Sequence, residues 1–183
     1  LTVFTRHSQA AVNQTLITIN YHTEKGTTMQ PDGYIYSSRD FGETTATIEI
    51  ARPDRPLIHK NVTGTRNQAN DGFTDDRKHP VHIVDLPSRA VSVTIGGIEA
   101  GGRTRKHRHT YETIIYILKG HGYSVVEGAR VDWEPGDAVL VPRWTWHQHF
   151  NLSATEYAEY LGAENAPMLQ NLGLALREEA ENW

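Results

Sequence analysis

The segment Gly101-Gly102-Arg103-Thr104-Arg105-Lys106-His107-Arg108-His109-Thr110-Tyr111-Glu112-Thr113 runs into an apolar stretch, Ile114 to Leu118, and stops at Gly120. In an extended chain residues two apart share a face, so His107 and His109 project side by side. Thr113 to Lys119 is dominated by Ile and Tyr, and Lys119-Gly120-His121-Gly122 closes it. That is the signature of a strand ended by a turn.

A second segment, Gly136-Asp137-Ala138-Val139-Leu140-Val141-Pro142-Arg143-Trp144-Thr145-Trp146-His147-Gln148-His149-Phe150-Asn151, reads as another strand. Placed across a barrel from the first, it would bring His147 to the histidine pair from the opposite side. Working outward, further strands are expected at Tyr34 to Ser37, Thr45 to Ile50, Pro56 to His59, Val81 to Asp85, Val91 to Ile95, Arg105 to His109 and Tyr123 to Glu127. Gly96 and Gly97 are expected to interrupt the Val91 run, and Glu127-Gly128 and Glu134-Pro135-Gly136-Asp137 to form turns. Residues 1–32 are polar and read as an N-terminal arm. Residues 33–183 read as a single all-β barrel domain, with a short helix around Pro167 to Leu174 leading to Leu176-Arg177-Glu178-Glu179. No internal repeat is visible, so one barrel is expected rather than a tandem pair.

Composition narrows the function. The chain has 183 residues, with 18 Lys plus Arg against 22 Asp plus Glu. It is mildly acidic and has no basic face for phosphate, which argues against nucleic acid. The longest apolar runs are far too short to cross a bilayer, so a soluble, cytoplasmic protein without membrane association is expected. With no cysteine, disulfides, thiolate ligands and cysteine nucleophiles are excluded, and any metal must be held by imidazole or carboxylate. Five of the ten histidines fall between His107 and His149. Two imidazoles from one strand and a third from another form a facial set of neutral ligands, which suits a borderline divalent metal and leaves coordination positions open.

These motifs resemble the cupin superfamily. Gly101, His107, His109 and Gly120 match its first motif, and Gly136, Pro142, His147 and Asn151 match its second. The resemblance implies a double-stranded β-helix, or jelly-roll barrel, with its motif core at 101–151 and metal ligands His107, His109 and His147. The superfamily usually supplies a ligand Glu where this chain has Thr113, and Glu112 lies one residue early, on the opposite face unless a bulge rotates it. Within the superfamily, His107-Arg108-His109-Thr110, Pro142-Arg143-Trp144-Thr145-Trp146-His147-Gln148-His149 and the closing Asn165-to-Leu174 segment look like the gentisate 1,2-dioxygenase branch. That branch also lacks the Glu and binds ferrous iron with three histidines. Its members are commonly two-cupin chains, and the arginine often found at the position of Ile115 is absent here.

The resemblance implies an Fe(II)-dependent, extradiol-type dioxygenase that opens the ring of a hydroxylated aromatic acid or a related chelating aromatic, with a small-molecule substrate and dioxygen as partners. Two alternatives stay open. One is another three-histidine cupin oxygenase, acting on a diketone or hydroxyketone. The other is a non-catalytic sensor or storage cupin holding zinc, nickel or manganese. Pairing through the N-terminal arm would give a homodimer or higher assembly.

Around the ligands, His149 shares a face with His147 and is a candidate to orient substrate or carry a proton, or else simply to close the barrel. Arg103 and Arg105 follow the ligands' alternation and could clamp a carboxylate, though strand-end arginines are often only solvated. Trp144, Trp146 and Tyr116 are candidates for an aromatic substrate wall, with packing as the plain alternative. His7, His22, His59, His79, His82 and His121 have no partner at ligand spacing and read as structural.

Overall fold

In the computed structural model the described residues are 53–64, 77 and 79–182. Every described residue belongs to one compact unit, Ile50–Trp183. The arm at 1–32 and the strands expected at Tyr34 to Ser37 and Thr45 to Ile50 lie outside the described residues.

After a 3₁₀ turn at Val62–Gly64 the chain forms β1 (Val81–Ile83), β2 (Ser92–Ile98), β3 (His107–His109), β4 (Thr113–Lys119), β5 (Gly122–Val126), β6 (Ala129–Trp133), β7 (Ala138–Val141), β8 (His147–Asn151) and β9 (Ala158–Glu164). Helix α1 (Ala166–Asn171) and β10 (Arg177–Glu179) follow. The strands make two five-stranded sheets with orders β1-β2-β9-β4-β7 and β10-β3-β8-β5-β6, and all their pairings are antiparallel. This is the all-β jelly-roll expected from the sequence.

β4 shows why the sheets close on each other. Thr113, Ile115 and Ile117 point inward while Ile114, Tyr116 and Leu118 point out, the period-two alternation of a half-buried strand. Ile115 and Ile117 pack with Ile98, Val139, Ala158 and Tyr160 of their own sheet and with Trp133 of the other. Each buried Ile contributes about 1.5–3 kcal/mol by leaving water. Gly120 ends β4 with φ +81°, and a Cβ there would lie 2.7 Å from the Ala158 Cα, so both conformation and space require glycine.

Three expectations are corrected. Gly96 and Gly97 lie inside β2 rather than interrupting it. A Cβ at Gly96 would collide with the Tyr160 ring and one at Gly97 with the Tyr157 ring, so these glycines admit tyrosines and do not break the strand. Pro56 to His59 is irregular rather than a strand. Arg105 precedes β3, which begins at His107. The short helix is present, with a proline in its first turn, and Gly173 follows it at φ +71°, the usual glycine stop. The stretch beyond it, left unassigned by pattern, is strand β10, paired to β3.

Candidate metal centre

β3 and β8 are neighbours in one sheet, and His107 and His147 are direct cross-strand partners. The histidines therefore meet along a sheet and not across the barrel. His109 completes the group, with ring centroids 4.1 Å (His107 to His147), 4.7 Å (His109 to His147) and 5.6 Å (His107 to His109) apart. All three are buried, and one nitrogen from each lies within 4.8 Å of the others.

Backbone carbonyls decide which nitrogen that is. Nδ1 of His107 lies 2.8 Å from the Arg105 carbonyl, Nδ1 of His109 lies 2.7 Å from that of Tyr111, and Nδ1 of His147 lies 2.9 Å from that of Thr145. A carbonyl only accepts, so each Nδ1 carries the proton and donates it, leaving an Nε2 lone pair. The Nε2 atoms of His107 and His147 stand 2.9 Å apart. A hydrogen bond between them would need one ring either to surrender its Nδ1 proton and turn a lone pair on a carbonyl, or to become a buried imidazolium, which the burial of both rings opposes. Two facing lone pairs at that separation call for a shared cation. Bonds of about 2.0–2.1 Å at right angles would set ligand nitrogens about 3 Å apart, so the donor set fits a divalent metal.

Burial, then the neighbouring His147, holds His107 far below the ordinary imidazole range, and the same causes lower His109 to about 3. Burial, and after it the charge of Arg177, lowers His147 to about 4. The rings are therefore neutral and available as ligands. Tyr111 stacks on His109 at 3.9 Å and 3°, so one residue fixes both the plane and the tautomer of that imidazole.

The triad opens into a cavity of about 460 Å³. Thr113, at the position where the superfamily usually has a ligand Glu, lines it and donates to Glu164 Oε1 at 3.3 Å. Burial pushes the Glu164 carboxyl up. Arg177 enters from β10 as the cross-strand partner of His109, held by Glu179 at 2.7 Å. Arg77 and His79 line the same cavity, and His79 meets the Tyr160 hydroxyl at 3.2 Å.

Of the other candidates, His149 lines the cavity and is 4 % exposed. Arg103 and Arg105 are not among the lining residues. Arg103 bridges to Phe150, and Arg105 faces Glu179 across 3.7 Å. Trp144 and Trp146 hold the Arg108 guanidinium, 4.5 Å from each ring, and Arg108 pairs with Glu178 at 2.7 Å. Arg108 alternates with the two ligands of its strand, so this stack lies on the reverse face, and neither tryptophan lines the cavity. Tyr116 is 44 % exposed on the outer face of β4. Glu112 is exposed, and Asn165 holds its backbone N–H at 3.0 Å. His79, read from sequence as structural, faces the cavity instead. Arg77, Glu164 and Arg177 carried no motif, and only the cross-strand pairing of β10 with β3 reveals Arg177.

Residues 95–162 match the cupin domain family. A 5-aminosalicylate 1,2-dioxygenase of Comamonas sp is 38 % identical over 77 residues, covering 42 % of this chain and 20 % of that protein. A 1-hydroxy-2-naphthoate 1,2-dioxygenase of Nocardioides sp. (strain KP7) is 32 % identical over 136 residues, covering 72 % of this chain and 33 % of that protein. The chain thus spans a third or less of the length of these relatives. The salicylate 1,2-dioxygenase structure from Pseudaminobacter salicylatoxidans superposes with a TM-score of 0.54 at 20 % identity, over 58 % of this chain and 33 % of that one. Its fold is the one described above. Fold, motifs and domain match together place this chain in the cupin superfamily, where it resembles the gentisate 1,2-dioxygenase-like branch.

Proposed function

We propose that His107, His109 and His147 bind ferrous iron and that the protein uses dioxygen to open the ring of a hydroxylated aromatic acid. The observation that carries this reading is the 2.9 Å approach of two Nε2 lone pairs whose rings have no other proton to share. A three-nitrogen face leaves positions for a chelating substrate and for dioxygen. Relatives that act as 1,2-dioxygenases on aromatic acids support the reaction class.

Iron bound there would supply the electrons that make dioxygen reactive toward a chelating ring. The protein's own residues do the rest. The carbonyls of Arg105, Tyr111 and Thr145 hold the imidazoles in the ligating tautomer. Arg77 and Arg177 give the cavity a cationic wall that would orient a substrate carboxylate. They do this in a chain with Ile115 where the branch often has an arginine. Val81, Ile115 and Val141 line the cavity and exclude water.

The test is anaerobic loading with ferrous iron followed by an oxygen electrode across hydroxybenzoates, aminosalicylates and catechols. Stoichiometric uptake with loss of the aromatic absorbance is expected for at least one carboxylated substrate. An iron-loaded protein that consumes no oxygen with any of them would refute the proposal.

A further inference from the structure

His149 alternates with His147 on β8 and lines the cavity, so one ring edge faces the space beside the triad. Its other edge is anchored. Nδ1 lies 2.7 Å from Ser124 Oγ, and Ser124, its cross-strand partner on β5, has no exposure at all. The same Oγ receives the Trp133 indole N–H at 3.1 Å. An indole nitrogen only donates, so Ser124 accepts there. Its own hydroxyl hydrogen then needs an acceptor, and among the described residues the remaining partner is His149 Nδ1. The reverse tautomer would point an N–H at the hydroxyl and leave a fully buried O–H with nowhere to donate, which protein interiors avoid.

We infer that Ser124, itself fixed by Trp133, is a positioning residue that holds His149 with its proton on Nε2, aimed into the cavity as a hydrogen-bond donor to an anionic oxygen of the bound ligand. The placement deepens the proposed function and rests on that reading of the cavity. It also separates His149 from the ligands by chemistry. Three rings carry the proton on Nδ1 and turn a lone pair inward, whereas His149 carries it on Nε2 and turns a donor inward. A phenolate or carboxylate oxygen is the group it would meet, and His149 is thereby kept out of the ligand set.

The experiment is long-range ¹H–¹⁵N correlation of the histidine rings in zinc-loaded and metal-free protein, with His149 assigned by the signals lost in His149→Gln. A protonated Nε2 and bare Nδ1 are expected for His149 in both forms, against protonated Nδ1 for the three ligands with zinc bound. Ser124→Ala should move His149 toward the Nδ1–H form and weaken salicylate binding to the zinc protein about tenfold, the range of a lost charge-assisted hydrogen bond. A wild-type His149 that is Nδ1-protonated or doubly protonated overturns the inference, and the wild-type spectrum decides this even if Ser124→Ala fails to fold. Failure to take up zinc would sink the metal-centre reading, while the metal-free spectrum would still report the His149 tautomer.

Discussion

The imidazole triad and the charged part of the cavity wall are built in opposite ways. The triad comes from two adjacent strands, and each ring is pinned by a carbonyl two residues away along its own chain. The charged wall is gathered from Arg77 and His79 ahead of β1, from Tyr160 and Glu164 of β9, and from Arg177 of β10. Its contacts are distant in sequence, 81 residues for His79 with Tyr160 and 51 for Thr113 with Glu164. Metal geometry is therefore determined locally, whereas the wall depends on how the strands are registered. On the proposed function, metal affinity falls to the first region and substrate selection to the second.

His147→Ala should strike the first region hardest, lowering ferrous or zinc affinity by more than about 100-fold, beyond what loss of an outer partner costs, and abolishing oxygen uptake. Equilibrium dialysis alongside circular dichroism checks it. Stoichiometric metal in a folded variant would break the division. Arg177→Met should act on the second region, raising KM for a carboxylated substrate about 10–100-fold with metal content unchanged. Arg177→Lys should recover only part, because an ammonium lacks the planar fork. Loss of metal from Arg177→Met would show that the two regions are not separable.

The wall also carries a pH signature. Burial holds His79 down at about 4, while in the unfolded chain it takes up a proton near 6.5. Folded stability from this group is intact above about pH 6.5 and is lost as pH falls toward about 4, because only the unfolded state binds the proton there. Urea midpoints of metal-free protein between pH 7 and 4 should fall less steeply in His79→Gln than in wild type. Equal slopes would show that His79 is not held neutral. The smallest effect is expected outside the cavity. Trp144→Ala removes one face of the Arg108 stack, which costs about 0.5–1 kcal/mol of stability. Metal content and KM should stay at wild-type values, and a shift in either would return that tryptophan to the site.

The same contrast explains what could be read in advance. His107 and His109 were legible because ligand geometry demands short spacings within strands, His147 because it completes the second motif, and the β4 alternation because one face is buried. Arg177 was not, since its approach to His109 exists only once β10 pairs with β3. Gly96 and Gly97 were misread because glycine both ends strands and admits close neighbours, and the choice was made by tyrosines some sixty residues later. Trp146 shows a rule applied too loosely. It is one residue from His147, so alternation alone turns it outward. Trp144 sits at φ +58°, a backbone state that bulky residues seldom adopt, and no spacing rule reaches that far.

X-ray absorption on the ferrous-loaded protein addresses the metal directly. Three imidazole nitrogens at about 2.0–2.2 Å, with oxygen donors completing the shell, are predicted, and at least one imidazole should disappear in His147→Ala. A shell fitted by fewer than three imidazoles in the wild-type protein, or one unchanged by that substitution, would contradict the account.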